Sequence, residues 1–207
     1  MSNEYDQVHS IRREEFENVW DVFKELGLEE RHFNELESGY RTLASTWLLA
    51  AFGAVGFVIT KSAVDIPIDR FLIIAGIGLA ASIGVFLLWN LDLMVYHQLL
   101  AACFTAGLLL EQKYSWLPAI RTNMMARMRG KGVLPRVIWF YVAGNTVSLA
   151  ISALGLTVWA SRYGSWQGVV VAVIYCLAIG VCGWYMISAT EAESGSTRND
   201  GKPVETV

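Results

Sequence analysis

The stretch from Phe71 to Lys113 constrains the fold more than any other part of the chain. It reads FLIIAGIGLAASIGVFLLWN and then, with no turn signal, LDLMVYHQLLAACFTAGLLLEQK. The first part, Phe71 to Trp89, is long and apolar enough to cross a bilayer as one helix. The second part is nearly as apolar, yet a boundary polar cluster stands at its start, formed by Asn90, Asp92, Tyr96 and His97.

Composition is typical of a membrane protein. Of the 207 residues 54% are hydrophobic and 17% are charged, whereas soluble domains carry about 25% charged residues. The N-terminal segment is highly charged and lacks a short apolar core before a cleavage site, so we expect no secretory signal peptide there. The three cysteines lie in apolar stretches without a CxxC pair, which predicts buried thiols.

The fold class predicted is an all-α integral membrane protein with four transmembrane helices. A cytoplasmic helical bundle is expected beside them, and it includes a long extension of transmembrane helix 2. Apolar length and flanking polar residues define the parts. They are a cytoplasmic N-terminal helical hairpin (1–39), transmembrane helices 1 and 2 (40–89), the cytoplasmic extension with a basic segment (90–136), transmembrane helices 3 and 4 (137–189) and a disordered cytoplasmic tail (190–207).

The hairpin prediction rests on apolar spacing and on one glycine. Phe16, Trp20 and Phe23 recur at helical spacing among charged residues. Gly27 stands where a helix C-terminal stop is expected. A second helix is predicted to begin near Glu29, because acidic residues in a first turn favour the helix dipole.

Charge decides the topology. With four spans and both termini on one side, all but three of the 16 Lys and Arg residues share that side. The exceptions are Lys61, Arg70 and Arg162. If residues 94–110 formed a fifth span, the basic segment would move outside, against the positive-inside rule. The sequence therefore predicts a multi-pass membrane protein with both termini cytoplasmic.

The extension of transmembrane helix 2 favours a homo-oligomer. Residues 93–110 are apolar on nearly every side, and such a helix must be buried on every side. A neighbouring copy of the chain would cover the face that the hairpin leaves open. The alternative is a single chain that folds its own helices into a closed bundle. Small residues at Gly76, Ala80 and Gly84 favour close helix packing.

Transmembrane helix 3 carries polar residues on one face, namely Asn145, Ser148 and Ser152. An Asn within a membrane helix is costly unless it is paired or faces water. Two readings stay open: these side chains line a pore, or they hydrogen-bond neighbouring helices.

No residue pattern indicates an enzyme. His97 is the one histidine near the predicted membrane segments, so paired histidine ligands for haem are lacking. No Cys/His cluster has metal-ligand spacing, and neither a P-loop nor a nucleophile elbow occurs. We therefore expect no catalytic residues, no metal site and no cofactor.

The basic segment RTNMMARMRGKGVLPR contains five basic residues and no acidic one. One interpretation is orientation of the chain and binding of lipid headgroups. The other is a site for a phosphate-bearing cytoplasmic ligand, such as a nucleotide or short oligonucleotide. The candidate phosphate-binding residues are Arg121, Arg127, Arg129, Lys131 and Arg136.

The chain combines cytoplasmic helices, four spans and a basic inner loop, seen in the segments LWNLDLMVYHQLL and LPAIRTNMMARMR. This layout resembles that of the small multi-span membrane effectors of bacterial anti-phage defence systems. Hailong-type membrane effectors are among them. The resemblance implies a channel that a nucleotide signal gates, with the bilayer, other copies of the chain and the signal, or the protein that makes it, as partners. The leading hypothesis is thus a gated homo-oligomeric channel that depolarises the inner membrane. The alternative is a non-conducting scaffold or accessory subunit that binds a soluble partner.

Overall fold

The computed structural model describes residues 2–60, 68–128 and 134–199. In these ranges the chain is helical apart from short connections, and it contains no strand. The elements are α1 (Ser2–Thr60), α2 (Arg70–Trp89), a π-helical segment (Asn90–Tyr96), α3 (His97–Lys113), α4 (Ile120–Met128), α5 (Leu134–Ser161) and α6 (Ser165–Asn199).

Four helical stretches are long and apolar enough to cross a membrane: Arg13–Thr60, Arg70–Lys113, Arg136–Ser161 and Ser165–Ala189. The prediction of an all-helical chain with four membrane-capable helices is confirmed at this level. Each contains an apolar window of 18 residues, and about 20 apolar residues span the hydrocarbon layer of a bilayer.

The stretch from Phe71 to Lys113 is helical throughout, but its hydrogen bonding changes in the middle. Asp69 caps the start of α2, where its carboxylate accepts from the Phe71 N–H at 2.8 Å. The segment Asn90–Tyr96 is π-helical. Such wider turns are rare and frequently mark functional positions.

The chain divides into two compact units. Unit 1 comprises Met1–Gly39 and Val95–Gly132, and unit 2 comprises Tyr40–Met94 and Val133–Val207. Each unit is described by itself below.

Two predicted features of the chain ends need correction. The division of the N-terminal segment at Gly27 is not observed, because α1 is one helix from Ser2 to Thr60. A glycine ends a helix when its backbone turns left-handed, and Gly27 has no such backbone angle. Residues 190–199 were predicted to be disordered but belong to α6, since good helix formers such as Ala and Glu continue past Ala189. Residues 200–207 lie outside the described residues.

Unit 2 is held together by close contact between α2 and α5. A Cβ at Gly78 would lie 2.6 Å from the Ser152 backbone nitrogen, and one at Gly155 would lie 2.7 Å from the Phe71 carbonyl oxygen. The glycines therefore let the two backbones touch. Apolar side chains form the core next to this contact: Ala44, Val85, Trp89, Leu93, Ile138, Tyr141, Val142 and Met186.

The small residues predicted to pack on α2 contact a neighbouring helix at one of their glycines. Gly84 contacts the Trp47 indole of α1, whose Nε1–H donates to the Ala81 carbonyl oxygen at 3.3 Å. A Cβ at Gly76 would meet nothing within 4 Å in the part of the chain that the structure describes. The closest approach of the α2 backbone to the α5 backbone involves Gly78 instead.

We expect Gly78→Ala to destabilise the chain, because the added methyl group would overlap the α5 backbone. Overpacking of this kind costs typically 1–3 kcal/mol. The matched control is Gly76→Ala, where the new Cβ has open space, and it should leave the thermal midpoint in detergent unchanged or slightly higher. Equal midpoints for the two variants would contradict this packing.

Candidate functional site

One face of α5 carries a line of buried polar side chains. Tyr141, Asn145, Ser148 and Ser152 follow the helical spacing i, i+4, i+7 and i+11, and none is more than 2% exposed. They therefore share one side of the helix and extend over about 16 Å. We call these four residues the polar stripe; it contains all three predicted pore-lining candidates.

Asp92 lies at one end of the polar stripe, and its side chain is 0% exposed. Its Oδ2 accepts a hydrogen bond from the Tyr141 hydroxyl at 2.9 Å and one from Arg41 Nε at 3.0 Å. Arg41 Nη2 donates to the other carboxylate oxygen at 3.4 Å. Burial of a carboxylate is strongly unfavourable unless a cation and hydrogen-bond donors compensate it. Arg41 and Tyr141 supply both.

Asn145, in the middle of the polar stripe, connects three helices. Its Oδ1 accepts from the Ser82 hydroxyl of α2 at 2.6 Å, and its Nδ2 donates to Cys182 Sγ of α6 at 3.0 Å. Both ends of the amide are thus bonded inside unit 2, which removes the penalty of an unpaired amide in an apolar environment.

The two serines of the polar stripe make different bonds. The Ser152 hydroxyl donates to the Ala75 carbonyl oxygen of α2 at 2.8 Å and lies 2.9 Å from the Tyr175 hydroxyl of α6. Because the single hydrogen of Ser152 goes to Ala75, Tyr175 is the donor of the second bond. The Ser148 hydroxyl instead donates to the Gly144 carbonyl oxygen of its own helix at 2.8 Å.

These contacts are those of helix–helix hydrogen bonding, one of the two readings that the sequence left open. Lining of a pore by Asn145, Ser148 and Ser152 stays a prediction. Sequence reasoning missed Tyr141, although it lies one turn before Asn145 and extends the same spacing. It also missed Arg41 and Ser82, for which separation along the chain gives no signal.

The residues of the boundary polar cluster divide between the two units. Asn90 and Asp92 belong to unit 2, whereas Tyr96 and His97 belong to unit 1. In unit 1, His97 Nδ1 lies 3.1 Å from Glu37 Oε1. The Glu37 side chain is 7% exposed and that of His97 is 39% exposed, so the pair lies at the edge of unit 1.

Of the three predicted phosphate-binding residues that the structure describes, Arg121 is the buried one. Its Nε donates to Glu30 at 2.6 Å, and Nη1 lies 3.6 Å from Glu111 Oε1. The guanidinium also lies 4.8 Å from the centre of the Phe23 ring, a cation–π arrangement. Any side chain at Gly107 would overlap the guanidinium. A phosphate could reach Arg121 only by displacing a carboxylate.

Glu111 caps the start of α4 from a distance. Its two carboxylate oxygens accept from the backbone N–H groups of Arg121 and Thr122, each at 2.9 Å, and from the Thr122 hydroxyl at 2.9 Å. Burial alone would raise the pKa of Glu111. These hydrogen bonds and the Arg121 charge outweigh burial and hold the pKa below its ordinary value of 4.5.

The other predicted phosphate-binding residues lie elsewhere. The side chains of Arg127 and Arg136 are exposed, whereas Arg129 and Lys131 lie outside the described residues. No group of three or more His, Cys, Asp or Glu side chains in the described ranges could hold a metal ion. Comparison of the chain with protein-family models, with curated proteins and with solved structures finds no match.

The two serines of the polar stripe allow a matched test of its role. Ser152→Ala removes a hydrogen bond between α2 and α5, and we expect it to lower the free energy of unfolding by about 0.6–1.7 kcal/mol. Ser148→Ala removes a bond within α5 and should change stability far less. Unfolding in mixed detergent micelles measures both, and equal losses would contradict an inter-helix role for Ser152.

The Glu111 cap predicts acid sensitivity of unit 1. Since its folded pKa is lowered, the stabilisation by Glu111 is complete above pH 4.5 and is lost as pH falls through the folded pKa. The hydrogen-exchange protection factors of α4 amides, which correct for the intrinsic pH dependence of exchange, should therefore fall in acid. Glu111→Gln should cost about 1–3 kcal/mol at pH 7 and flatten this pH dependence. Glu25→Gln, at an exposed carboxylate, is the control; an identical profile in both variants would refute the cap.

Proposed function

We propose that the chain forms a gated homo-oligomeric channel in the bacterial inner membrane and acts as a defence effector that depolarises the cell. One observation carries the proposal. A line of buried polar groups, which ends at the ion pair of Asp92 with Arg41, runs through unit 2, to which all four membrane-capable helices contribute residues. Ionisable and polar residues at such positions are costly and mark ion pathways or relays.

In this proposal the described conformation is closed. The polar groups of the stripe are bonded to α2, α6, the π-helical segment or their own helix. Conduction would require water to replace these bonds. Separation of α5 from α2 or α6 would expose Asn145 and the serines together, since they share one side of α5. In the closed channel the hydrogen bonds of the polar stripe hold α5 to its neighbouring helices. In the open channel the same side chains form a polar lining.

Exposed apolar side chains support the homo-oligomer. Val95, Leu99 and Leu109 of unit 1 are 40%, 43% and 59% exposed. They follow the predicted span in the chain, so the prediction gives them no lipid to cover their apolar side chains. In α1 and α6 the apolar windows are 6% buried, which suits contact with lipid or with other copies. Surfaces of this kind mark interaction sites in soluble and membrane proteins.

The topology, with both termini cytoplasmic, is proposed from the distribution of Lys and Arg. A cytoplasmic nucleotide-type signal is proposed from the basic segment. Because Arg121 is committed to Glu30 and Glu111, we propose that the phosphate groups of that signal contact the basic residues beyond α4, namely Arg129, Lys131 and Arg136.

The alternative function is a non-conducting scaffold or accessory subunit. It is supported by the exposed aromatic pair of Phe16 and Trp116, which stack at 4.2 Å and are 51% and 41% exposed. Aromatic residues of this kind are enriched at protein interfaces. A soluble protein bound to unit 1 would cover them without any current.

Current recordings test the channel. Purified protein in planar bilayers should conduct, and regulated expression should depolarise cells. Asn145→Leu breaks the bonds to Ser82 and Cys182 and should raise the current without a signal several-fold, because each such bond contributes about 0.6 kcal/mol to holding membrane helices together. Thr46→Val is the control, since its hydroxyl bonds its own helix at an exposed position.

A second variant keeps the test independent of one substitution. Asp92→Asn preserves shape but removes the charge, and it should change the current as well. Absence of current in wild type and both variants, with unchanged membrane potential in cells, would overturn the channel. One stoichiometric soluble partner without toxicity would establish the scaffold. Single-particle images should show a ring with a central axis, and a monomer would exclude the proposed assembly.

A further inference from the structure

The described side chains of helix α4 are exposed apart from that of Arg121, and apolar and basic residues stand together among them. Ile120, Met124 and Arg127 stand at the spacing i, i+4, i+7 and therefore share a face. Ile120 is 53% and Met124 is 41% exposed, and the Arg127 side chain is also exposed. Arg121, at a different angle around the helix, is buried with Glu30 and Glu111. Unit 1 thus fixes α4 through Arg121 and leaves the other face uncovered.

We propose that this α4 face docks on the anionic surface of the bilayer, with Ile120 and Met124 at the level of the acyl boundary and Arg127 among the phosphates. Charge complementarity argues for this occupant. No Asp or Glu occurs between Glu111 and Glu191, and within the described residues no carboxylate pairs with Arg127. Apolar residues beside exposed Arg are typical of helices that lie in the membrane interface.

The short connection between α4 and the apolar stretch of α5 also supports docking on the bilayer. The apolar stretch of α5 begins at Arg136, eight residues after Met128. Eight residues of chain extend over at most about 29 Å. This step rests on the membrane insertion of α5 that the proposed function assumes. Trp116, in the turn before α4, is 41% exposed, and tryptophan is enriched at membrane interfaces.

Trypsin cleavage of the unmodified chain tests the docking. In nanodiscs with phosphatidylglycerol, cleavage after Arg127 should be at least about fivefold slower than in phosphatidylcholine, the change expected for one basic residue at an anionic surface. Cleavage after Lys24, on α1, gives the reference rate. Cleavage after Arg127 that is as fast as cleavage after Lys24 in both lipids overturns the proposal. Slow cleavage after Arg127 in both lipids also overturns it and would indicate a second copy or another protein on this face.

A spin label identifies the face that docks. Met124→Cys and Ala126→Cys place labels about 160° apart around α4. In the background chain Cys103 and Cys176 are replaced by alanine, and Cys182 is replaced by serine, which keeps an acceptor for Asn145. In anionic nanodiscs the label at 124 should be accessible to oxygen and shielded from an aqueous nickel complex, with the reverse at 126. Equal aqueous exposure at both positions overturns the assignment.

These readouts do not depend on conduction. Lipid-dependent protection of Arg127 without current would retain the docking and remove the channel. Current together with lipid-independent cleavage would remove the docking alone. Arg127→Glu should abolish the lipid dependence of the label at 124, and retention of that dependence would overturn the role given to Arg127.

Discussion

The buried charge of Asp92 is the constraint on which the rest of unit 2 depends. An isolated carboxylate in an apolar environment would cost several kcal/mol, so α1 and α5 must each bring a partner to one point. Arg41 and Tyr141 do so across 51 and 49 residues of sequence. Asp92 lies on the π-helical segment, and π-helical turns occur frequently at functional positions.

Hydrogen bonds and small residues together explain how α2, α5 and α6 pack. In a bilayer the hydrophobic effect does not drive one apolar helix onto another, so association relies on close backbone contact and polar bonds. Gly78 and Gly155 bring α2 and α5 together, and this contact places Ser152 beside the Ala75 carbonyl oxygen. Close approach and polar bonding therefore occur at the same positions of α5, which explains why the polar stripe is fully buried.

Features that depend on one segment were predictable, and features that depend on partners were not. Apolar length alone predicted the four membrane-capable helices, and the spacing of Asn145, Ser148 and Ser152 predicted one shared face. The spacing rule for small residues named Gly76 and not Gly78, because only the neighbouring α5 backbone distinguishes them. Gly27 was misread because a glycine limits a helix only where the following chain turns away, and good helix formers follow it here.

The arginines show why net charge alone is a weak guide to function in this chain. Arg41 neutralises Asp92, and Arg121 is held between Glu30 and Glu111; both serve the fold. Arg127 and Arg136 are exposed and remain available to phosphates. The basic segment, which in the sequence looks uniform, is thus divided by structure into an internal anchor and an external surface. Any ligand that Arg127 binds therefore meets α4 at a position that Arg121 and Glu111 have already fixed.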